Sequence, residues 1–198
     1  MIAKRIFDLL FTIPSILILS PLFLYIALWI KRDSPGPVFY RQIRVGRFGK
    51  EFNVLKFRSM IEDAEKRGSK ITIGGDHRIT RSGRFLRKFK LDEFPQLLNV
   101  LKGEMSLVGP RPEVPEYVSL YSEEQKKIIF SVPPGMTDYA SLEFRNENDL
   151  LANANDPQQE YIEKIMPIKL EYYIKYVSER SLWVDFCLIL KTIKAVFC

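Results

Sequence analysis

A chain of 198 residues can hold one domain with a sizeable core, or one domain and a membrane attachment, but two domains would be unusual at this length. Cys187 and Cys198 show no CxxC spacing and His77 is the only histidine, so neither a disulfide framework nor a histidine-based zinc site is indicated, and we expect His77 on the surface or in a loop. The net charge of +6 favours a polyanionic partner, which could be nucleic acid, an anionic membrane surface or a phosphorylated substrate.

Residues 9–30 form a long apolar stretch that carries no charge. Its length matches the roughly 20 residues that a helix needs to cross a bilayer. No small-residue cleavage site follows it, and Lys31 and Arg32 come directly after it, which argues against a signal peptide that is removed. The sequence therefore predicts a membrane segment.

The charges around this segment bear on its topology. A basic pair, Lys4 and Arg5, precedes it as another follows it, so the positive-inside rule places both ends in the cytoplasm. Near its middle, Ser20 and Pro21 favour a kink, because proline removes a backbone donor and a serine hydroxyl can bond a freed carbonyl. A re-entrant hairpin fits these features, and a kinked spanning helix is the alternative that the residues leave open.

The next residues predict a turn and then a small β-hairpin. Residues 33–37 contain two prolines and a glycine, which is typical of a turn or linker. Residues 38–40 and 52–55 have strand character around Gly46 and Gly49. A small hairpin-like element is therefore expected here.

A polar, mobile connection is predicted over residues 61–75, and a basic run follows it. Its arginines recur at every third position, at Arg78, Arg81, Arg84 and Arg87. Because Phe85, Leu86 and Phe89 lie among them, a helix here would have a basic side and an apolar side. It is either a solvated amphipathic helix or a surface that attracts lipid headgroups or a diphosphate.

Asp92 and Glu93 follow the basic run at a predicted helix start, with Pro95 in the first turn and Gly103 as the stop. Neighbouring helical residues diverge by roughly 100°, so the two carboxylates can hold different roles. One can attack a phosphorus centre if cations offset the charge repulsion, and the other can bind Mg²⁺. The alternative is that Asp92 merely caps the helix and Glu93 favours its first turn.

A rigid loop is predicted around Arg111. Gly109, Pro110 and Pro112 stiffen the chain on both sides of it. A guanidinium held in this way matches the oxygens of a phosphate. An arginine packed on a proline-rich turn is the alternative.

The rest of the chain is predicted to be largely helical. Residues 114–130 have a helical pattern that ends before Pro133, and residues 156–177 form an amphipathic helix that is open to interruption at Pro167. Its core-like stripe consists of Tyr161, Ile165, Ile168, Tyr172 and Tyr176. Residues 181–198 either pack on the domain or lie in a membrane interface.

An ordered set of motifs extends along nearly the whole chain. It consists of KRIFD, LSPLF, GPVFYRQIRVG, KFRSM, KLDEFPQLLNVLKGEMSLVGPRP and PGMT. In these motifs the chain resembles the catalytic unit of the bacterial monotopic phosphoglycosyl transferases, a small sugar-transferase family. The resemblance implies a helix-rich α+β fold with a small β-hairpin and amphipathic interfacial helices. Residues 1–32 would form a re-entrant membrane helix broken at Ser20 and Pro21, and residues 33–198 a cytoplasmic catalytic domain.

The resemblance also implies an activity. Family members transfer a phosphosugar from a nucleotide diphosphate sugar, usually a UDP-sugar, to a polyprenyl phosphate such as undecaprenyl phosphate, and release UMP. The reaction takes place at the cytoplasmic face of the bacterial inner membrane, among membrane lipids. Asp92 matches the family's nucleophile, which forms a covalent intermediate, and Glu93 matches the partner that binds Mg²⁺.

Four basic positions of the family are also matched, and the family associates them with the diphosphate or the acceptor phosphate. They are Arg58, Arg87, Arg111 and Arg145. Over residues 133–141 this chain reads PPGMTDYAS where many relatives read RPGITGWAQ. Basic and indole positions are lost there, so the resemblance does not extend to sugar and acceptor recognition at these residues.

Functions of two other classes compete with this one. The chain could be a non-catalytic scaffold on the membrane surface, in which the basic helix binds anionic lipid and Asp92 and Glu93 are only capping residues. Nucleic-acid binding would fit the positive charge. The long apolar segment and the scarcity of aromatic residues among the arginines of residues 71–84 argue against it.

Overall fold

The computed structural model describes residues 2–64, 76–145, 147–152, 154 and 156–197. Helix α1 covers Ile2–Asp33, and among the described helices it is the one long and apolar enough to cross a membrane. Only 11% of its most apolar 18-residue stretch is buried in the protein, so α1 is not a core helix. It stays helical through Ser20 and Pro21, where the sequence predicts a break, and the Ser20 hydroxyl donates to the Leu17 carbonyl at 2.8 Å.

Strands β1, Phe39–Val45, and β2, Glu51–Phe57, confirm the predicted hairpin. They pair antiparallel along their whole length, and a 3₁₀ turn over Arg47–Gly49 joins them. Because side chains alternate along a strand, the core residue Phe57 and its neighbour Lys56 lie on opposite faces of β2.

Short helices lie on either side of the acidic pair: α2, Arg81–Lys88, and α3, Gln96–Lys102. Thr80 caps α2 by accepting from the Gly83 amide at 3.0 Å. Gly103 ends α3 with a φ of 86°, a left-handed conformation that glycine adopts readily. The helix stop that the sequence predicts is therefore confirmed.

The basic helix is shorter than the arginine repeat that predicts it. Arg78 precedes α2 and is 5% exposed, with its guanidinium 2.5 Å from the Asp76 carboxylate, so the basic side of the helix begins at Arg81. His77 is exposed, as expected. Residues 65–75, most of the predicted polar connection, lie outside the described residues.

Strands β3, Ser106–Val108, and β4, Gly135–Thr137, form a short parallel pair. A Cβ atom at Gly135 would overlap the backbone of Gly109, so a glycine is required at the start of β4. The helix predicted over residues 114–130 is divided into α4, Pro115–Val118, and α5, Glu123–Ile129. The division falls at Ser122, which forms a capping box with Gln125 and so starts a new helix.

The C-terminal part of the chain is helical, as predicted. Its elements are α6, Tyr139–Glu143; α7, Glu147–Ala152; α8, Pro157–Glu160; α9, Met166–Glu179; and α10, Leu182–Phe197. A π turn over Tyr161–Ile165 joins α8 to α9. The interruption that the sequence left open is therefore present, just before Pro167.

The π turn changes which face of α9 is buried. The predicted stripe holds at Tyr161, Ile165 and Tyr176, but Ile168 is 43% exposed, and Leu170 and Tyr173 are buried in its place. A π turn holds more residues per turn than an α-helix, so the buried face directly after it is shifted relative to the predicted stripe, and it meets that stripe again at Tyr176.

A hydrophobic core lies between α4, α5, α6 and α9. Helix α10 packs on the domain through Leu188, which is 1% exposed, while Trp183 and Ile193 keep 72% and 50% of their surface exposed. One face of α10 therefore packs on the domain, and the other presents apolar side chains as an interfacial helix does. The whole is the predicted helix-rich α+β fold with small sheets.

Candidate active site

The acidic pair lies in a 3₁₀ turn, Leu91–Glu93, shortly before α3. Lys90 precedes the turn with a left-handed backbone, φ 55°, and Pro95 is the N-cap of α3, with no side-chain capping bond. Asp92 therefore does not cap α3, and the expectation that it merely does so is wrong.

Glu93 brings together three parts of the chain. Its Oε1 accepts from Lys56 Nζ of β2 at 2.9 Å and from the Arg111 guanidinium, which lies in the loop after β3. Burial alone would raise the pKa of Glu93, but the positive charges of Arg111 and Lys56 outweigh it and hold that pKa well below its ordinary value. Glu93 is therefore an anion at neutral pH.

Asp92 shows the opposite behaviour. Burial raises the pKa of Asp92 to about 6, and the Glu93 anion adds to that rise. Nearby cations act against the rise without cancelling it, and they are Lys56, Arg87 and Lys90. The Asp92 carboxylate accepts no hydrogen bond from the described residues. At neutral pH it is mostly ionised, and its oxygens are available to a substrate.

The loop that carries Arg111 is held on both sides. The Arg111 amide donates to Asp138 Oδ2 at 3.3 Å, and Asp138, which is fully buried, also caps α6. Arg44 donates to the Pro112 carbonyl at 3.1 Å on the other side. The Arg111 guanidinium is thereby fixed beside Glu93, whose negative charge raises the pKa of Arg111. These contacts add side-chain anchors to the rigid loop that the sequence predicts.

A basic depression opens beside Glu93. Its lining consists of Arg44, Val54, Lys56, Gln96, Arg111 and Pro112. The cations among these residues suit an anion such as a diphosphate. Because Lys56 and Arg111 also contact Glu93, a phosphate held by these cations would lie next to the acidic pair.

The predicted phosphate-binding arginines are divided between the site and the rest of the fold. Arg111 contacts Glu93, and Arg87 lies close enough to lower the pKa of Asp92. Arg145 is exposed after α6 and makes no hydrogen bond or ion pair with the acidic pair within the described residues.

Arg58 is turned towards the end of α1. It is 5% exposed, and its guanidinium donates to the Ser34 carbonyl at 2.7 Å, to the Ser34 hydroxyl at 3.0 Å and to the Pro35 carbonyl. A longer contact of 3.5 Å reaches the Ile30 carbonyl. These bonds join β2 to the C-terminal end of α1, and a contact of Arg58 with phosphate stays a prediction.

Three residues of the site escape prediction from the sequence: Arg44, Lys56 and Asp138. Lys56 stands at the start of the KFRSM motif, and its alternation with the apolar Phe57 on a strand is the signal that could have found it. Arg44 donates to the Pro112 carbonyl and to the Glu113 carboxylate, and Asp138 accepts from the Arg111 amide, so no spacing in the sequence points to them.

The donor set fits Mg²⁺. Magnesium binds hard oxygen ligands, and one or two carboxylates together with substrate phosphates and water are its usual protein set. Asp92 and Glu93 supply two carboxylates, and only Oε1 of Glu93 accepts from Lys56 and Arg111, which leaves Oε2 for a metal ion. Within the described residues, no group of three or more aspartate, glutamate, histidine or cysteine side chains lies together, so the substrate would supply further ligands.

Comparison with known proteins adds a family and named relatives. The model of the bacterial sugar transferase family matches residues 1–198. Over 195 residues the chain is 38% identical to the UDP-N-acetylgalactosamine-undecaprenyl-phosphate N-acetylgalactosaminephosphotransferase of Aeromonas hydrophila. The aligned residues cover 98% of this chain and 43% of that protein. It is also 38% identical over 194 residues to the UDP-glucose:undecaprenyl-phosphate glucose-1-phosphate transferase of Escherichia coli, with 96% and 39% covered.

A shorter relative is matched over more of its length. The uncharacterized sugar transferase EpsL of Bacillus subtilis is 41% identical over 146 residues, which is 74% of this chain and 71% of that protein. The chain spans about two fifths of the length of the Aeromonas and Escherichia relatives. The match therefore covers nearly all of this chain but only part of those larger proteins.

Proposed function

Because the chain belongs to the bacterial sugar transferase family, we propose that it transfers a phosphosugar from a UDP-sugar to undecaprenyl phosphate and releases UMP. The observation that carries the proposal is the acidic pair of Asp92 and Glu93 beside a depression lined by arginine and lysine. The names of the relatives supply the two substrate classes, a UDP-sugar and undecaprenyl phosphate.

Asp92 is the nucleophile in the first step. One carboxylate oxygen bonds to the β-phosphorus of the UDP-sugar, the bond from that phosphorus to the bridging oxygen breaks, and UMP leaves with the electron pair. The pKa of about 6 leaves Asp92 mostly ionised at pH 7 while keeping it more basic than an ordinary aspartate. The product is an aspartyl-phosphosugar intermediate.

The second step regenerates the carboxylate. An oxygen of undecaprenyl phosphate bonds to the phosphorus of the intermediate, and Asp92 leaves as the anion. The product is undecaprenyl diphosphate sugar. Since UMP leaves before the acceptor reacts, the kinetics are of the ping-pong type.

The cations of the site offset the repulsion between an anionic nucleophile and an anionic substrate. Lys56 and Arg111 neutralise Glu93, and the guanidinium planes of Arg87 and Arg111 suit the phosphate oxygens. Glu93 would hold Mg²⁺, and the ion would supply positive charge against the charge that develops on the leaving phosphate. Phosphate contacts from Arg58 and Arg145 remain predictions.

We also propose that α1 enters and leaves the membrane by the cytoplasmic face. Near its start, Arg5 donates to the carbonyls of Val100 and Leu101, at 2.5 and 2.8 Å, at the end of α3. Near its end, Ile30 packs in one cluster with Phe57 of β2. The first contact lies at α3, and the second at a strand that α3 itself touches.

The link between α3 and β2 is short. The Leu55 amide donates to the side chain of Asn99 at 3.0 Å, and Leu55 is two residues from Phe57. A straight helix would separate residues 5 and 30 by about 37 Å, at about 1.5 Å per residue. Both ends of α1 contact neighbouring parts of one domain, which supports a helix that bends back near Ser20 and Pro21.

Labelling with a membrane-impermeant thiol reagent tests this topology. Single cysteines placed at Ala3 and at Arg32, in a chain whose Cys187 and Cys198 are changed to serine, should both react from the cytoplasmic side of inverted vesicles. Reaction of the two positions from opposite sides would rule out the re-entrant arrangement in favour of a spanning helix.

UMP release tests the activity. Purified protein is incubated with undecaprenyl phosphate, Mg²⁺ and each member of a UDP-sugar panel, and at least one sugar should give UMP together with a lipid-linked product. Asp92→Asn should lose that turnover, and Glu116→Gln, an exposed change on α4, should keep it. Substantial turnover by Asp92→Asn, or none by the unaltered protein with any donor, would overturn the proposal.

A further inference from the structure

A buried carboxylate near the start of α1 holds strand β3. Asp8 is 3% exposed, and its side chain accepts from the Ser106 hydroxyl at 2.9 Å and from the Leu107 amide at 3.2 Å. Lys4, one helical turn earlier, lies 2.8 Å from the same carboxylate. The membrane helix is therefore bonded directly to the first two residues of β3.

A second buried carboxylate, which belongs to α10, holds the other end of β3. Asp185 of α10 is 2% exposed, and its carboxylate lies 2.9 Å from Lys4 Nζ and 2.8 Å from the Tyr176 hydroxyl. That hydroxyl lies 3.0 Å from the Val108 carbonyl. Lys4 thus joins two buried carboxylates, one at each end of the strand.

Strand β3 leads straight to Arg111. Val108 is three residues before it, and the Gly109 amide between them donates to the Thr137 carbonyl of β4 at 3.1 Å. The backbones of Gly109 and Gly135 pack so closely that a Cβ atom at either position would overlap the neighbouring backbone. A displacement of β3 would therefore be passed on to the Arg111 loop.

We propose that Asp8 is a positioning residue for Arg111: by bonding β3 to α1, it makes the seating of the membrane helix determine where the guanidinium lies beside Glu93. The kinetic consequence rests on the proposed function. Misplacement of a charged group by about 1 Å can lower a rate by as much as about 100-fold, so the effect of losing Asp8 is measurable.

Graded substitutions separate the bonds of Asp8. Asp8→Ala removes every acceptor, and Asp8→Asn keeps one oxygen for the Ser106 hydroxyl or the Leu107 amide. Ser106→Ala removes one donor from the strand side and leaves α1 unchanged, so it stays informative if the Asp8 variants fold poorly. Lys169→Met is the matched control, since it breaks a buried ion pair with Glu147 that shares no described contact with α1 or β3.

The first measurement is the burst of UMP from a UDP-sugar without acceptor. The amplitude reports the fraction of folded enzyme, and the rate reports the chemistry of that fraction. We expect a burst rate about tenfold lower in Asp8→Ala, with partial rescue in Asp8→Asn and a smaller decrease in Ser106→Ala. Lys169→Met should change the amplitude alone. A burst rate that is unchanged in both Asp8→Ala and Ser106→Ala would overturn the positioning role.

The second measurement does not depend on activity. Hydrogen–deuterium exchange of the unliganded protein in detergent should be faster at the amides of Leu107, Gly109 and Arg111 in Asp8→Ala and Ser106→Ala, and unchanged there in Lys169→Met. Unaltered exchange at these amides would overturn the coupling of α1 to the Arg111 loop. If the unaltered protein releases no UMP from any donor, the proposed function fails, and the exchange result still decides this coupling.

Discussion

Asp92 and Glu93 are adjacent in the chain, and their surroundings shift the pKa values of the two carboxyl groups in opposite directions. Glu93 points at Lys56 and Arg111, which keep it ionised. Asp92 is half-buried beside that anion, and its pKa rises to about 6. Surroundings that shift the pKa values of two neighbouring carboxyl groups in opposite directions are typical of paired catalytic roles.

The first prediction concerns the pH dependence of UMP release. Only the ionised Asp92 can attack phosphorus, so the single-turnover rate should fall about tenfold per pH unit below pH 6 and level off above it. Rapid-quench measurements between pH 4.5 and 8 check this. With the UDP-sugar well below its KM the rate reports the free enzyme, so the midpoint should then be the same for every UDP-sugar that reacts. A rate that stays constant down to pH 4.5 would contradict the assignment.

The second prediction is that Asp92→Asn abolishes turnover and stabilises the fold. The pKa of Asp92 is higher in the folded protein than its ordinary value of 3.8, so the folded state loses stability as the pH rises through about 4 to 6. Asparagine cannot ionise, and at pH 7 the variant should gain about 1–3 kcal/mol of unfolding free energy.

Thermal unfolding in one detergent at several pH values checks this gain. The Tm difference between Asp92→Asn and the unaltered protein should be largest above pH 6 and close to zero at pH 4, where both side chains are neutral. Asp76→Asn is the opposite control, because its carboxylate is held ionised by Arg78 and the pKa of Asp76 is lowered to about 2. A destabilised Asp92→Asn at pH 7 would refute the argument.

Local chemistry is enough to predict much of this fold. The uncharged run of α1, the turn residues around β1 and β2, and Gly103 at the end of α3 each act through neighbours in the sequence. The Gly109 to Pro112 loop is of the same kind, since its prolines restrict the backbone directly. For these elements the structure confirms a long apolar helix, a β-hairpin and a helix stop, whereas α1 stays helical through the break predicted at Ser20 and Pro21.

Other features depend on contacts between distant residues. Lys56 and Glu93 are 37 positions apart, and although each lies in a motif, neither motif indicates that the two residues form an ion pair. The π turn at Tyr161–Ile165 has no proline or glycine signal inside it, yet it rotates the buried face of α9. Arg58 is expected to contact phosphate because it matches a basic position of the family, but its described hydrogen bonds go to Ile30, Ser34 and Pro35, and a sequence does not reveal such partners.

The third prediction concerns the charge balance at Glu93. In Glu93→Gln, Lys56 and Arg111 lose the anion between them, and the free energy of unfolding at pH 7 should fall by about 1–3 kcal/mol. The pKa of Glu93 is lowered in the folded protein, so its stabilisation is present above its ordinary value of 4.5 and is lost as the pH falls through the folded value. The difference from the unaltered protein should therefore shrink in acid.

A double-mutant cycle isolates the Lys56 part of this effect. In a Lys56→Met background, Glu93→Gln should cost less than it does alone, because one of its cationic partners is already absent. Denaturant unfolding of the four proteins at pH 7 gives the coupling energy. If the losses of unfolding free energy in Glu93→Gln and Lys56→Met simply add in the double variant, the 2.9 Å contact contributes nothing to stability.

The last prediction separates a structural role of Arg58 from phosphate binding. Arg58 is buried and donates to the Ser34 and Pro35 carbonyls at the end of α1, and lysine cannot reproduce that fork. Arg58→Lys should therefore lower Tm by several degrees and reduce the UMP burst amplitude, while the burst rate and the KM for the UDP-sugar change less than about twofold. Arg87→Lys, beside Asp92, should leave Tm and the burst amplitude nearly unchanged, and should change the burst rate and the KM for the UDP-sugar more than about twofold. A rise in KM of tenfold or more in Arg58→Lys, with Tm unchanged, would instead assign Arg58 to the substrate phosphate.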